Sequence, residues 1–193
     1  MNSEKQKQLD ELNKKIYECE NCNLCKIPIN LGEGKLKGEG NNSDILVVCQ
    51  NPSYWRKTAG VFMPGSRNND LLIKMFKEEC GLERNNYYVT NCVKCSTLKN
   101  IDIKEHQMKA CVEYLKEEMK ILKPKILICV GAVAGKYFKI DVKEIRIALD
   151  GITYCRVDHP AYILRGGLSA DVYRKQFKFI KKYIDKCTKN ELK

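Results

Sequence analysis

Asp44-Ile45-Leu46-Val47-Val48-Cys49, closed by Gln50-Asn51-Pro52-Ser53, is the stretch on which the fold turns. Its apolar residues run continuously instead of alternating with polar ones, as in a strand covered on both faces. The run stops at a proline-containing turn, so polar side chains gather at the strand's carboxyl end. Lys125-Ile-Leu-Ile-Cys-Val130 repeats the signature, and Tyr87-Tyr-Val-Thr-Asn91 is also strand-like. Between these runs Asn69–Cys80 and Ile103–Leu122 fit a helical repeat, and Gly131-Ala-Val-Ala-Gly135 opens a shorter helix. Asp150-Gly151, between Ile145–Leu149 and Ile152–Val157, signals a hairpin, and residues 169–186 close the chain as an amphipathic helix. Strands alternating with helices predict an α/β fold, a three-layer α/β/α sandwich around a mostly parallel central sheet.

Upstream, Ser3 with Gln6 forms a capping-box pattern, and Leu9, Leu12 and Ile16 follow at helical spacing. Residues 31–43 are rich in glycine and read as loop or short hairpin. Neither an internal repeat nor a linker is visible. The expectation is one domain over 1–193, with a helix, cysteines and Gly-rich loop in 1–43 and the α/β core in 44–193. Hydrophobic residues at 44% and charged residues at 31% suit a folded chain and exclude wholesale disorder. No apolar run approaches a membrane span, and Met1–Leu12 is too polar for a secretory signal, so a cytoplasmic monomer is expected. Eleven cysteines, an odd number without an export signal, read as reduced thiols rather than a disulfide framework. The net charge of +11 suits an acidic partner such as nucleic acid, although a solvated lysine-rich surface gives the same number.

In folds of this class the active groups sit on loops leaving the carboxyl ends of the strands. Those loops carry Gln50-Asn-Pro-Ser53, Thr90-Asn91 and Asp158-His-Pro-Ala161. Among the cysteines, Cys19-x2-Cys22 is a metal-type pair, and Cys95 and Cys111 are solitary; four such thiolates suit zinc or an iron–sulfur cluster. Cys22-x2-Cys25 is spaced equally well, and spacing leaves the choice open. Cys49, Cys129 and Cys155 lie in apolar strands, where cysteine acts as a small hydrophobe, and Cys80, Cys92 and Cys187 have no evident partner.

Taken in order, Cys19-x2-Cys22-x-Leu24, a Gly-rich loop, Val47-Val-Cys-Gln-Asn-Pro52, Val89-Thr-Asn-Cys-Val-Lys-Cys95 with Asn100, Cys111, and His159-Pro-Ala-Tyr-Ile-Leu-Arg165 resemble a family 4 uracil-DNA glycosylase. The resemblance spans nearly the whole chain from Cys19 to the last helix. It implies a DNA glycosylase that releases uracil to leave an abasic site, with uracil-containing DNA as partner and a structural [4Fe–4S] cluster as cofactor. The positions matching the cluster ligands are Cys19, Cys22, Cys95 and Cys111, with Leu24 favouring Cys19 over Cys25. It further implies that His159 stabilises charge on the uracil oxygen and the reacting sugar, and that Asn91 reads the base. A side-chain amide can donate to uracil O4 while accepting from N3–H, a pattern that cytosine reverses. Phe62 matches the aromatic on which the flipped base stacks, and Asn100 the asparagine after an Arg-Pro-Pro element, which here reads Ser96-Thr-Leu-Lys99.

The first motif departs from the family pattern of Gly-Glu-Ala/Gly-Pro-Gly followed by an acidic pair. Here Cys49-Gln-Asn-Pro-Ser53 leads into Tyr54-Trp-Arg-Lys57, with no acid. Asn51 takes the slot that is Asp in family 1 enzymes and Asn in mismatch-directed relatives, and Gln50 resembles the family 1 form on the substrate side. An amide is no general base, so Asn51 can act only by orienting the water. Ser53, Lys94, Arg165 and Gly166 are the expected DNA contacts, Arg165 on phosphate or as a wedge, with Arg56, Lys57 and Lys99 flanking them. Trp55 reads equally as a DNA-facing aromatic or a packed anchor; His106 and Lys181, Lys182, Lys186 and Lys189 read as surface. Two other activities stay open, a weak or inactive DNA-capturing member and a glycosylase for hypoxanthine or mismatched bases. A zinc protein using the same four cysteines is a third.

Overall fold

A computed structural model describes residues 3–27, 38–41, 44–54 and 65–189. Among the described residues five strands form one sheet, β1 (Ile45–Cys49), β2 (Tyr88–Asn91), β3 (Ile126–Val130), β4 (Ile145–Ile147) and β5 (Thr153–Val157), in the order β2-β1-β3-β5-β4. Only β4 runs antiparallel, paired to β5 across the hairpin expected at Asp150-Gly151. β1 is flanked on both sides, with Val48 opposite Thr90 of β2 and Cys129 of β3. That central place explains its unbroken apolar run.

Helices cover both faces, which is the expected sandwich. On one side α2 (Arg67–Cys80) and α6 (Ala170–Thr188) pack Leu72, Met75, Phe76, Phe177 and Ile180 onto Ile45, Val47, Ile128 and Val157. On the other, α1 (Ser3–Glu18), α3 (Glu105–Leu122) and α4 (Ala132–Phe138) bring Leu9, Leu115, Leu122 and Ala134 onto Leu46, Val48, Leu127 and Cys129. Successive residues of β1 therefore serve opposite cores, as a period of two requires. Among the described residues no helix is long and apolar enough to cross a membrane.

Local boundaries moved by a turn or less. α2 starts at Arg67 behind Ser66, and its carboxyl end is closed by Gly81 in the left-handed conformation (φ 70°). Part of the Gly-rich segment is ordered against the sheet, where Glu39 and Val89 exchange backbone hydrogen bonds of 2.9 and 2.8 Å. Gly40 makes this possible, because its φ is 139° and a Cβ there would meet the Tyr87 carbonyl. One element the sequence left as loop is helical: α5 (Pro160–Leu164), a single turn directly after His159.

All eleven cysteines are thiols. Burial pushes Cys49, Cys80 and Cys92 up to about 12, and raises Cys129, Cys155 and Cys187 as well. These six therefore behave as apolar filling. Phe76 lies at the centre of the α2/α6 core, with its ring 4.9 Å from Tyr87 and 5.1 Å from Phe177. Phe76→Ala should destabilise the fold by about 3–5 kcal/mol, lowering the urea midpoint with an unchanged slope; a loss under about 1 kcal/mol would contradict this packing.

Candidate active site

The strand order makes β1 the switch point, since the connection to β2 runs over one face of the sheet and the connection on to β3 over the other. A crevice opens at such a point outside the carboxyl ends of the strands. Polar groups that the sequence placed on three separate loops follow the carboxyl ends of three strands of this one sheet. Gln50 and Asn51 leave β1, Asn91 ends β2 directly opposite Cys49, and His159 follows β5, whose Val157 pairs with Val130.

Backbone bonds continue past the strand ends and set these loops. Cys92 N–H donates to Cys49 O at 2.8 Å and Val93 N–H to Gln50 O at 3.0 Å. Gly131 N–H donates to Val157 O at 2.8 Å. Gly131 itself sits at φ 90°, and a Cβ on it would lie 3.1 Å from the His159 Cβ. The absence of a side chain there lets the imidazole settle over the end of β3, a role that sequence reading did not assign. A glycine ending a buried run was the available signal.

His159 caps α5. Ala161 N–H donates to its Nδ1 at 3.1 Å, and Pro160 fills the first helical position, where no N–H is missed. Because Nδ1 accepts that bond, the neutral ring carries its proton on Nε2. Burial lowers the pKa of His159 below its ordinary 6.5, and the Arg165 charge lowers it further. The residue before it is clamped: Asp158 N–H donates to Gln176 Oε1 at 2.8 Å while Gln176 Nε2 donates to Asp158 Oδ2 at 2.7 Å. Arg156 takes the other Asp158 oxygen at 3.2 Å, so that carboxylate is turned away from the imidazole. Gln176 lies on the buried face of α6, where nothing in the sequence marks it.

Asn91 is buried, and among the described residues no group is bonded to its side-chain amide. Asn51 donates from Nδ2 to Pro52 O at 3.0 Å, which leaves Oδ1 as its acceptor. Gln50 is half-buried beside it and Ser53 is exposed. Arg165 and Gly166 end α5 at the surface, Gly166 at φ 78°, with exposed Tyr162 and Leu164 next to them. Phe62, Trp55, Arg56 and Lys57 lie outside the described residues.

One expectation needs correction. Lys94 does not face a phosphate: its side chain is 2% exposed and ion-paired with Glu118 beneath the β2 end. Asn100 is exposed, and its Oδ1 accepts from Tyr54 N–H at 2.7 Å. Lys99 and Asn100 take φ values of 49° and 58°, a tight left-handed turn that points Asn100 back at the first loop. Ser96 Oγ donates to Ser53 O at 3.3 Å, so the second and first loops are tied twice.

The cysteines gather on the α3 side of the second loop. Cys95 and Cys111 are buried with Leu24 and Val93, and Cys22 packs against them. Burial raises the Cys111 thiol, and the nearby Cys22 and Cys19 raise it further, which puts all four sequence-matched thiols within electrostatic reach of one patch. Cys25 is turned aside, its thiol donating to Cys22 O at 2.9 Å. Among the described residues no group of three or more His, Cys, Asp or Glu side chains is drawn together closely enough to hold a metal ion. The four thiols fit an all-thiolate centre in chemistry, and their sulfurs are not drawn into a cage.

The family model of the uracil DNA glycosylase superfamily matches residues 37–187. A type-4 uracil-DNA glycosylase from Sulfurisphaera tokodaii is 33% identical over 131 residues, 67% of this chain and 57% of that protein. Those from Archaeoglobus fulgidus and Pyrobaculum aerophilum are 25% and 29% identical over 89% and 81% of this chain, and 91% and 85% of theirs. The chain thus spans under three fifths of the length of the Sulfurisphaera protein, and 58% of a Saccharolobus solfataricus type-4 enzyme.

A ring-proton NMR titration should show His159 changing charge below pH 6.5, and Arg165→Ala should move the midpoint upward without reaching that value. A midpoint at or above 6.5 would contradict the partly desolvated, neutral imidazole.

Proposed function

The chain belongs to the uracil DNA glycosylase superfamily, and from that membership we propose that it hydrolyses the N-glycosidic bond of uracil in DNA. The observation that carries this reading is the neutral His159, whose Nδ1 is occupied by Ala161 N–H and whose Nε2–H has no acceptor among the described residues. The scissile C1′–N1 bond breaks largely before water attacks. Its electron pair moves onto the uracil ring, negative charge gathers on O2, and positive charge gathers on the sugar. A fixed N–H donor at O2 stabilises that charge, and acts most strongly where water is excluded.

The base must leave the stack to reach such a pocket. Asn91, at the buried end of β2, would hold it by donating to O4 and accepting from N3–H. Asn51 Oδ1 would accept a hydrogen bond from the attacking water and aim its oxygen at C1′. The water proton then passes to solvent or to the departing uracil, leaving an abasic site. An amide suffices because the oxocarbenium-like sugar is already electrophilic. Phe62 would stack on the base, and Gln50 would line the pocket beside it. Arg165, Gly166 and Ser53 would meet the DNA, with Tyr162 and Leu164 as apolar neighbours where the base has left the stack.

Cys19, Cys22, Cys95 and Cys111 would hold a [4Fe–4S] cluster, which supplies a structural crosslink between the end of α1, the second loop and α3. Loop closure across so long a stretch of chain is its physical gain.

Single-turnover uracil release from a labelled oligonucleotide tests the reading. Wild type should release uracil, while Asn51→Ala and His159→Ala should each lose about 10²-fold or more and still bind the DNA. An Asn51→Ala rate near wild type would reject the water-positioning role. Binding without release of uracil, hypoxanthine or a mismatched base would make the protein a DNA-capturing member instead. Purified protein should be brown and absorb near ~400 nm, and Cys95→Ser or Cys111→Ser should lose the iron; a colourless protein with one zinc per chain would overturn the cluster.

A further inference from the structure

Lys94 and Glu118 form an ion pair whose side chains are 2% and 1% exposed. Two charges withdrawn from water carry a desolvation penalty that an apolar pair of similar bulk would avoid. Here every ammonium proton has an acceptor: Lys94 Nζ lies 2.5 Å from Glu118 Oε2, 2.8 Å from Thr90 Oγ1 and 3.0 Å from the Asn91 carbonyl. The Thr90 hydroxyl in turn donates to the Glu118 carboxylate, 2.9 and 3.0 Å from its two oxygens. The network is closed, and it grips the last two residues of β2.

Its position gives it a function. Thr90 and Asn91 are consecutive strand residues and present their side chains to opposite faces. The network holds Thr90 from the α3 side, and holds Asn91 by its backbone oxygen, while the Asn91 amide remains available on the other side. Fixing that carbonyl fixes the Cα and Cβ from which the amide hangs, so only χ1 and χ2 remain to place it. We propose that Lys94 and Glu118 are positioning residues for base recognition: they act through Thr90 and the Asn91 backbone to fix the amide that reads uracil. This rests on the reading of Asn91 under the proposed function.

The test uses the double variant Lys94→Met/Glu118→Leu, which removes both charges and leaves neither uncompensated. Thermal midpoint, iron per chain, the dissociation constant for free uracil and single-turnover uracil release are measured beside wild type. Iron content is included because Lys94 adjoins Cys95 and Glu118 shares α3 with Cys111. The double variant should melt close to wild type and keep its iron, yet bind uracil about 10–100-fold more weakly and release it correspondingly slowly. A folded, iron-loaded double variant with wild-type uracil affinity overturns the proposal and leaves the pair as structure alone. Thr90→Val carries the same question where the double variant does not fold: a loss of about five-fold in uracil affinity is expected, and none overturns the proposal. A wild-type protein that releases no uracil overturns the reading of Asn91 and this proposal with it, which separates the two failures.

Discussion

The register of β1 with its two neighbours is the constraint from which the site follows. Val48 stands opposite Thr90 on one side and Cys129 on the other, so the ends of β2, β1 and β3 are set together. A slip of one residue would exchange Val47 and Val48 between the two cores. It would also separate Asn91 from Cys49 and the Gln50-Asn51 turn that follows. Burial on both faces opposes that slip with the whole α2/α6 core on one side and the α1/α3/α4 core on the other. The apolar packing is what aligns the polar loops.

Behind those loops lie polar groups that satisfy one another. Gln176 spends both ends of its amide on Asp158, and Lys94 spends all its protons on Glu118, Thr90 and the Asn91 carbonyl. Asn100 closes the first loop through Tyr54 N–H. Each arrangement stands one residue from a group facing the crevice, or ties together the loops that bear those groups. Under the proposed function, preorganisation of this kind would let a donor such as His159 act without rearranging during the reaction.

Strands β1, β2 and β3 were legible in the sequence because burial on both faces leaves an unbroken apolar signature, and the hairpin because Asp150-Gly151 has few other uses. α5 was hidden since one turn is shorter than any helical repeat, although His159-Pro160 carries a capping signal. Lys94 misled by residue type: a lysine in a basic chain near a DNA-facing loop reads as a phosphate partner. Its acceptor, Glu118, lies two helical turns beyond Cys111 on another element, and no local pattern joins them. The two-residue left-handed turn at Lys99 and Asn100 was not legible either, since the bond from Tyr54 N–H to Asn100 is made in three dimensions. The buried pair leaves the net charge of +11 as it was, because it withdraws one lysine and one glutamate together.

The central claim is that the ends of β1, β2 and β5 form one pocket for a flipped uracil. Titration of free uracil into isotope-labelled protein, followed by backbone amide shifts, tests it most directly. The account predicts saturable shifts centred on Gln50 and Asn51, on Asn91 and Cys92, and on His159 and Ala161. Saturable shifts centred elsewhere, or none at millimolar uracil, would contradict it.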